Sequence, residues 1–149
     1  MKALTLTQPW ATLVALGAKK IETRSWFTHY RGPLAIHAAK GFPKWAREFT
    51  MEPECYEAVK LFTAGRIKTF PSYPTGVVLA VCRVVACTLT SQAFEERLSA
   101  KERAFGDYSP GRFAWVLEDV QALPTPIPAK GALGLWEWCG KDKGRPLLG

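Results

Sequence analysis

The chain has 149 residues, of which 48% are hydrophobic and 22% charged, and its formal net charge is +7 at pH 7. This length suits one domain with a sizeable core, and the composition is that of a globular protein, which excludes low-complexity and repeat architectures. No apolar run reaches membrane-spanning length, and the chain begins with a strand-like segment in place of a signal peptide. We therefore expect a cytoplasmic protein with no membrane partner.

The positive charge is concentrated in the first third of the chain. Residues 1–48 carry eight Lys or Arg against two acidic residues, whereas residues 49–149 carry twelve against eleven. A localised positive field is what a polyanion such as nucleic acid would meet. The alternative is a basic surface that serves solubility.

The first predicted elements are a strand and a short helix. Residues 2–7 alternate weakly and are rich in Leu and Thr, which predicts a strand. Pro9 lies near the start of a predicted helix over Trp10–Leu16, and Gly17 provides the left-handed residue that ends it.

A polar segment follows this apolar helix. Residues 20–26 predict a strand, and four side chains share one of its faces: Lys20, Glu22, Arg24 and Trp26. Together with Lys19 they place cations and a carboxylate beside a hydrophobic element, which is typical of a small binding cleft. A surface ion pair between Glu22 and Arg24 is the alternative interpretation.

The rest of the chain alternates strands with short helices. Strands are predicted at 34–39, 76–90 and 112–120, helices at 43–51, 53–64, 91–98 and 99–106, and a last apolar stretch at 131–139. Strands dominate and no regular βαβ alternation appears, which favours an α+β protein built on a small barrel. We expect one domain over residues 1–140 and a basic flexible tail over 141–149.

Two ordered motifs connect this segment to a known family. Leu6-Thr-Gln-Pro-Trp-Ala11 is followed by Gly17-x-Lys19-x-x-Glu22-x-Arg24, and further agreement extends to about residue 138. In these motifs the chain resembles the ASCH (activating signal cointegrator 1 homology) domain of the PUA-like superfamily. The resemblance implies a PUA-like β-barrel surrounded by short α-helices, with a cleft that binds nucleic acid, RNA ahead of DNA and single strands included.

The resemblance and the residue chemistry together give a set of site residues. Cations would contact phosphate or base acceptors, Glu22 would accept from a base amine, and aromatic rings would stack on bases. The predicted nucleic-acid contacts are Lys19, Lys20, Glu22, Arg24, Trp26, Arg31, His37, Tyr73 and Arg112. The residues predicted to support the cleft are Gln8, Pro9, Trp10, Ser25 and Trp115. Among the aromatic residues, Tyr73 in its Pro-bounded loop is predicted to be the best exposed.

Two other functions stay open at this point. A small hydrolase acting on a modified nucleoside, or a ribonuclease, would use Lys19 and Glu22 as catalysts. Enzymes of this family that remove acetyl from N4-acetylcytidine have a threonine where this chain has Glu22, and the strand over 76–90 lacks their later glutamate. His37 is either a functional histidine or a hydrogen-bonded wall residue. The other open function is that of a protein-interaction module. We expect a monomer without metal or cofactor.

Overall fold

A computed structural model describes residues 1–139 together with the strand residues 141–142 and 145–146. The strands are β1 (Lys2–Leu6), β2 (Ile21–Arg24), β3 (Gly32–Ala38), β4 (Val77–Leu89), β5 (Phe113–Pro128), β6 (Leu135–Glu137), β7 (Lys141–Asp142) and β8 (Arg145–Pro146). The helices are α1 (Trp10–Ala15), α2 (Lys44–Phe49), α3 (Pro53–Phe62), α4 (Gln92–Glu96) and α5 (Ala100–Ala104), with one 3-10 turn at Phe70–Ser72.

Six strands form one sheet in the order β2-β5-β4-β3-β1-β6, and β7 pairs with β8 separately. β1 runs parallel to β3, and the other neighbours in the large sheet are antiparallel. The pairing of β4 with β5 shifts register three times, and such bulges bend and twist a strand. The sheet therefore curls into a half-barrel with several short helices around it, which confirms the predicted α+β class built on a small barrel.

The core divides into three clusters of buried side chains. The largest lies between α1 and one face of the sheet and includes Leu6, Ile36 and Trp115. A second joins α1 to α3 through Leu13 and Val59, and a third lies around Ala35 on β3. Helix α1 contributes side chains to two of these clusters. Its packing therefore fixes the positions of the segments that precede and follow it in the chain.

Helix α1 ends as its sequence predicts. Gly17 adopts φ +75°, and the backbone N–H groups of Ala18 and Lys19 both donate to the carbonyl of Leu13 at 3.0 Å. A left-handed residue without a Cβ makes this reversal inexpensive. The turn delivers Lys19 directly to the start of β2.

Strand β5 is longer than predicted, since it continues from residue 120 to Pro128. Pro124 and Pro126 obscured this continuation because proline is unusual within strands. Both prolines lie between Ala122 and Ile127, where β5 has no partner residues on β4, so no ladder hydrogen bond is lost.

The predicted domain boundary at residue 140 stays a prediction, and the flexible tail predicted for 141–149 lies largely outside the described residues. In the described part of the chain, every helix is too short or too polar to span a lipid bilayer.

Candidate functional site

A cavity of about 440 Å³ opens beside the end of β1, the start of α1 and strand β2. We refer to it as the cleft. Its volume falls in the range of small-molecule pockets and would hold roughly one nucleotide. It is lined by Leu6, Thr7, Trp10, Lys19, Glu22, Thr23, Arg24, Trp45, Phe49, Ala104, Phe105, Gly106, Asp107 and Arg112.

Lys19 lies at the bottom of the cleft. Its side chain is only 1% exposed, and its Nζ has no hydrogen-bond partner among the described residues. Its ammonium group lies 5.7 Å from the centre of the Tyr108 ring. A buried ammonium without a partner is costly, and such groups concentrate at functional sites.

Gly106 leaves the space that Lys19 occupies. A Cβ at this position would lie 3.1 Å from Lys19 Nζ and 2.9 Å from Cε2 of Tyr108. The chain after α5 can therefore pass close to the lysine only because residue 106 has no side chain.

Glu22 and Arg24 project from the same face of β2. Arg24 Nη1 lies 3.8 Å from Glu22 Oε1, and Arg24 Nη2 approaches the carbonyl of Thr5 at 3.5 Å. Glu22 is nearly buried, and its Oε2 has no hydrogen-bond partner in the described part of the structure. Among the described residues, three buried side-chain atoms of the cleft have no hydrogen-bond partner: the donors Lys19 Nζ and Arg112 Nε and the acceptor Glu22 Oε2.

Arg112 and Asp107 lie nearer the mouth of the cleft. Arg112 Nε is 3.5 Å from Asp107 Oδ2, and Arg112 Nη2 donates to the Thr23 carbonyl at 3.3 Å. The side chains of Arg24 and Arg112 are 24% and 30% exposed, respectively, so both guanidinium groups are within reach of a ligand in the cleft. Asp107 is more exposed and offsets part of this positive charge.

A second carboxylate, Glu102, holds the strand that carries the site. Its Oε1 accepts from the backbone N–H of Ile21 at 2.9 Å and from the Tyr108 hydroxyl at 3.0 Å. The N–H of Lys20 also points to this carboxylate, at 3.2 Å from each oxygen. Glu102 was not among the site residues predicted from the sequence. Ser99-Ala-Lys-Glu102 does match a capping box, and Ser99 caps α5, but the Glu102 carboxylate reaches β2 instead of the cap.

Burial shifts the pKa values of the two central groups toward neutrality. It lowers the pKa of the Lys19 ammonium, although the carboxylates of Glu22 and Glu102 oppose this effect. It raises the pKa of the Glu22 carboxyl, against the cations of Lys19, Arg24 and Arg112. Shifts in these two directions are the ones by which burial tunes lysine and glutamate side chains in enzymes.

Aromatic side chains form the wall on the α1 and α2 side. The ring of Trp10 stacks on Phe49, with centroids 4.9 Å apart, and has Trp45 at 5.5 Å. Trp10 has thus two aromatic neighbours, whereas Trp45 is 62% exposed at the rim. Trp45 was not among the predicted site residues, because the predicted helix over 43–51 gave no reason to place it near β2.

Two predicted residues lie elsewhere than expected. Tyr73 is buried, with its ring against Phe42 and its hydroxyl 3.9 Å from the Cys55 sulphur, so the expectation that it is exposed for stacking is wrong. His37 lines a different cavity of about 1030 Å³ and is buried there. Its ring nitrogens contact Thr5 Oγ1 at 3.0 Å and the Ala129 carbonyl at 2.7 Å. Of the two predicted alternatives for His37, this geometry fits the hydrogen-bonded wall residue, because both ring nitrogens are occupied by hydrogen bonds.

The remaining predicted contacts do not line the cleft. Lys20 precedes β2 and points to solvent, and Arg31 donates to the carbonyls of Thr28 and Tyr30. Trp26 follows the end of β2 and packs edge-on against Trp115, at 4.8 Å between centroids. The pleat that would have aligned Lys20 and Trp26 with Glu22 extends only over Ile21–Arg24.

The predicted supporting residues differ in their positions. Trp115 is fully buried beside β2, and Ser25 is exposed outside the cleft. Gln8 is buried directly before Pro9, accepts from the Thr12 N–H at 3.0 Å and donates to the Pro74 carbonyl at 2.8 Å. It therefore ties the start of α1 to the loop before β4.

Comparisons with known proteins give one family. A family model described as the ASCH domain matches residues 4–126. Activating signal cointegrator 1 from Mus musculus is 30% identical over 135 residues, and its Homo sapiens counterpart is 29% identical over the same length. These alignments cover 90% of this chain but 22% of each relative, so the chain spans about a fifth of their length.

Solved structures of low sequence identity also match. Crystal structures of two mutants of ZmASCH from Zymomonas mobilis are each 16% identical to this chain, with TM-scores of 0.48 and 0.47. Both matches cover 85% of this chain, and they cover 74% and 72% of the respective mutants.

Proposed function

This chain belongs to the ASCH domain family, and from that premise we propose that it binds nucleic acid, RNA ahead of DNA, through the cleft. Lys19 donates to a base acceptor at the bottom, Glu22 accepts from a base amine, and Arg24 and Arg112 contact phosphate at the mouth. The observation that carries the proposal is the pair of unsatisfied groups, Lys19 Nζ and Glu22 Oε2, in one nucleotide-sized cavity. A base edge presents the complementary donor and acceptor.

The depth of each group supports this division of roles. Lys19 and Glu22 are buried, so a ligand that reaches them must leave water, as a base does and a phosphate does not readily. Arg24 and Arg112 stay partly exposed, which suits a phosphodiester that remains at the surface. Phosphate contacts then give affinity, and the base contacts give selectivity.

A binding experiment tests the proposal. Labelled single-stranded RNA and DNA are titrated with the protein at several salt concentrations. We expect affinity to fall with salt and to drop about 10- to 100-fold in Lys19→Met, because a buried hydrogen bond to the base is lost. Lys60→Met removes the same charge from an exposed site on α3 and should change affinity by less than about threefold. Equal effects of the two substitutions, or no binding, would contradict the proposal.

One observation favours a second function, that of a hydrolase acting on a modified nucleoside such as N4-acetylcytidine, or of a ribonuclease. The pKa shifts of Lys19 and Glu22 toward neutrality fit an acid and a base at one site. Incubation with N4-acetylcytidine and with single-stranded RNA, followed by chromatography, tests it. Turnover should be lost in the variant that combines Lys19→Ala with Glu22→Ala. Turnover that survives in this variant rules out these catalysts.

A further inference from the structure

The rim of the cleft carries an exposed aromatic ring that the proposed function does not use. Trp45 lines the cleft and is 62% exposed, on the short helix α2. Large aromatic side chains are usually buried because they carry so much apolar surface. The next residues of α2 turn inward, since Ala46 is fully buried and Phe49 stacks on Trp10. Trp45 therefore presents an accessible aromatic surface at the rim of the cleft.

Trp45 is the outermost member of an aromatic stack. Phe49 covers Trp10 at 4.9 Å with an interplanar angle of 24°, and Trp45 lies 5.5 Å from Trp10 with an angle of 37°. Trp10 and Phe49 are half-buried, so Trp45 is the most exposed ring on this wall and the one most accessible to a flat ligand. Its position is fixed from behind by Trp10, so little conformational entropy is lost when a second ring stacks on it.

The surroundings of Trp45 indicate an anionic ligand. Lys44 precedes it on α2 with its side chain 82% exposed, and Arg24 and Arg112 lie at the mouth of the same cleft. The charge of Lys44 is only partly offset by Glu48, at 3.8 Å. The ligand would combine a flat ring with a negatively charged group and would extend out of a nucleotide-sized cleft. A second nucleotide of a single strand has these properties.

We propose that Trp45 is a stacking subsite for the base next to the one in the cleft, so that the ligand is a single-stranded segment of at least two nucleotides. This inference rests on the proposed function. One base lies against Lys19 and Glu22, the linking phosphate lies at the mouth beside Arg24 and Arg112, and the neighbouring base stacks on the Trp45 ring. A duplex does not fit this arrangement, because its bases are paired and stacked on each other.

The test compares ligands that differ by one base. The ligands are ribonucleoside monophosphates, the tightest-binding RNA dinucleotide, and that dinucleotide with either base removed to leave an abasic sugar. The complete dinucleotide and its abasic forms carry the same charge, so the difference in their affinities reports the contribution of the base alone. In the unaltered protein we expect the complete dinucleotide to bind about 5- to 100-fold more tightly than one of the abasic forms, as stacking contributes elsewhere.

Variants of the protein then show which residue provides this increase in affinity. Trp45→Ala should abolish the preference for the complete dinucleotide and leave monophosphate binding within about twofold, and Trp45→Phe should retain part of the preference. Phe62→Ala removes an exposed aromatic ring from α3, outside the cleft, and should change nothing. Urea unfolding of each variant confirms that it is folded.

The other outcomes separate the two proposals. Equal losses for monophosphate and dinucleotide in Trp45→Ala would place Trp45 within the first site and overturn the subsite. An unchanged dinucleotide affinity would also overturn it and would leave Trp45 as a contact for a protein partner. Absence of nucleotide binding in the unaltered protein, or binding that Lys19→Met does not weaken, would overturn the proposed function itself.

Discussion

Glu22 is a buried carboxyl group in the cleft with a shifted pKa. Its pKa is raised because burial disfavours the carboxylate more than the nearby cations favour it. A carboxyl group with a higher pKa in the folded state than in the unfolded state binds more protons when folded. Its contribution to the free energy of unfolding is therefore fully present below the ordinary value of 4.5 and is lost as pH rises through the raised pKa.

The direction of this pH dependence of the free energy of unfolding gives a prediction for Glu22→Gln. Between pH 4 and pH 8, the free energy of unfolding of the unaltered protein should fall relative to that of the variant, which cannot ionise at this position. Urea unfolding at a series of pH values measures the difference. Glu96→Gln, on an exposed surface of α4, is the matched control and should give parallel curves. A Glu22→Gln curve that also stays parallel would show that Glu22 is not perturbed.

The part of the site around Lys19 and Glu22 could be predicted from the sequence alone. Lys19, Glu22 and Arg24 belong to one local segment, so a turn and a strand suffice to bring them together. Trp45 and Glu102 come from helices far along the chain, and their positions depend on how those helices pack on the sheet. No periodicity in residues 43–51 or 99–106 encodes that packing.

At the scale of elements, α5 acts as a clamp on the start of β2. The carboxylate of Glu102 accepts from the N–H groups of Lys20 and Ile21 and from the hydroxyl of Tyr108. Hydrogen bonds to a charged acceptor are stronger than neutral ones, and buried donors without a partner are costly. The clamp therefore fixes the backbone on which Lys19 and Glu22 depend.

We accordingly expect Glu102→Ala to lower the free energy of unfolding by about 2–3 kcal/mol, since several donors lose their acceptor. RNA affinity should fall as well, because Lys19 loses its fixed position. Glu96→Ala, which removes an exposed carboxylate from α4, should cost less than about 0.5 kcal/mol. Urea unfolding and RNA titration measure both effects. A loss below 0.5 kcal/mol for Glu102→Ala would refute the clamp.

Element prediction from the sequence worked where local signals are strong. Gly17 ends α1, and Ser91 caps α4 by accepting from the Phe94 N–H at 3.1 Å. It was wrong at Tyr73, where proline residues indicated an exposed loop, although the ring packs into the core against Phe42. The predicted end of β5 came too early, because Pro124 and Pro126 fall in a stretch without partners on β4 and pairing resumes at Ile127.

For the whole molecule, the net charge of +7 includes a basic C-terminal segment. Residues 141–149 carry three basic residues and one acidic residue, so a chain that ends at residue 140 has a net charge of +5. If residues 1–140 form the domain, as we predict, removal of the segment should change the free energy of unfolding by less than about 0.5 kcal/mol.

The same truncation should alter RNA binding in a distinctive way. The dependence of affinity on salt should become shallower, because fewer cations contact phosphate, while the loss caused by Lys19→Met should persist. Titration of labelled RNA at several salt concentrations with both chain lengths measures this. A truncated chain in which Lys19→Met no longer matters would place the binding site in the segment and not in the cleft.

The residues at the start of β1 and at the end of β6 lie side by side at one edge of the sheet. The Met1 amino group donates to the Trp138 carbonyl at 2.9 Å, and Lys2 Nζ lies 2.7 Å from Glu137 Oε1. A chain that enters and leaves at one place can be grafted into a host loop with little distortion of either partner. By the same geometry, a circular permutant that joins residue 139 to residue 1 through a short linker would keep all six strands paired, with new ends placed in a surface loop away from the cleft.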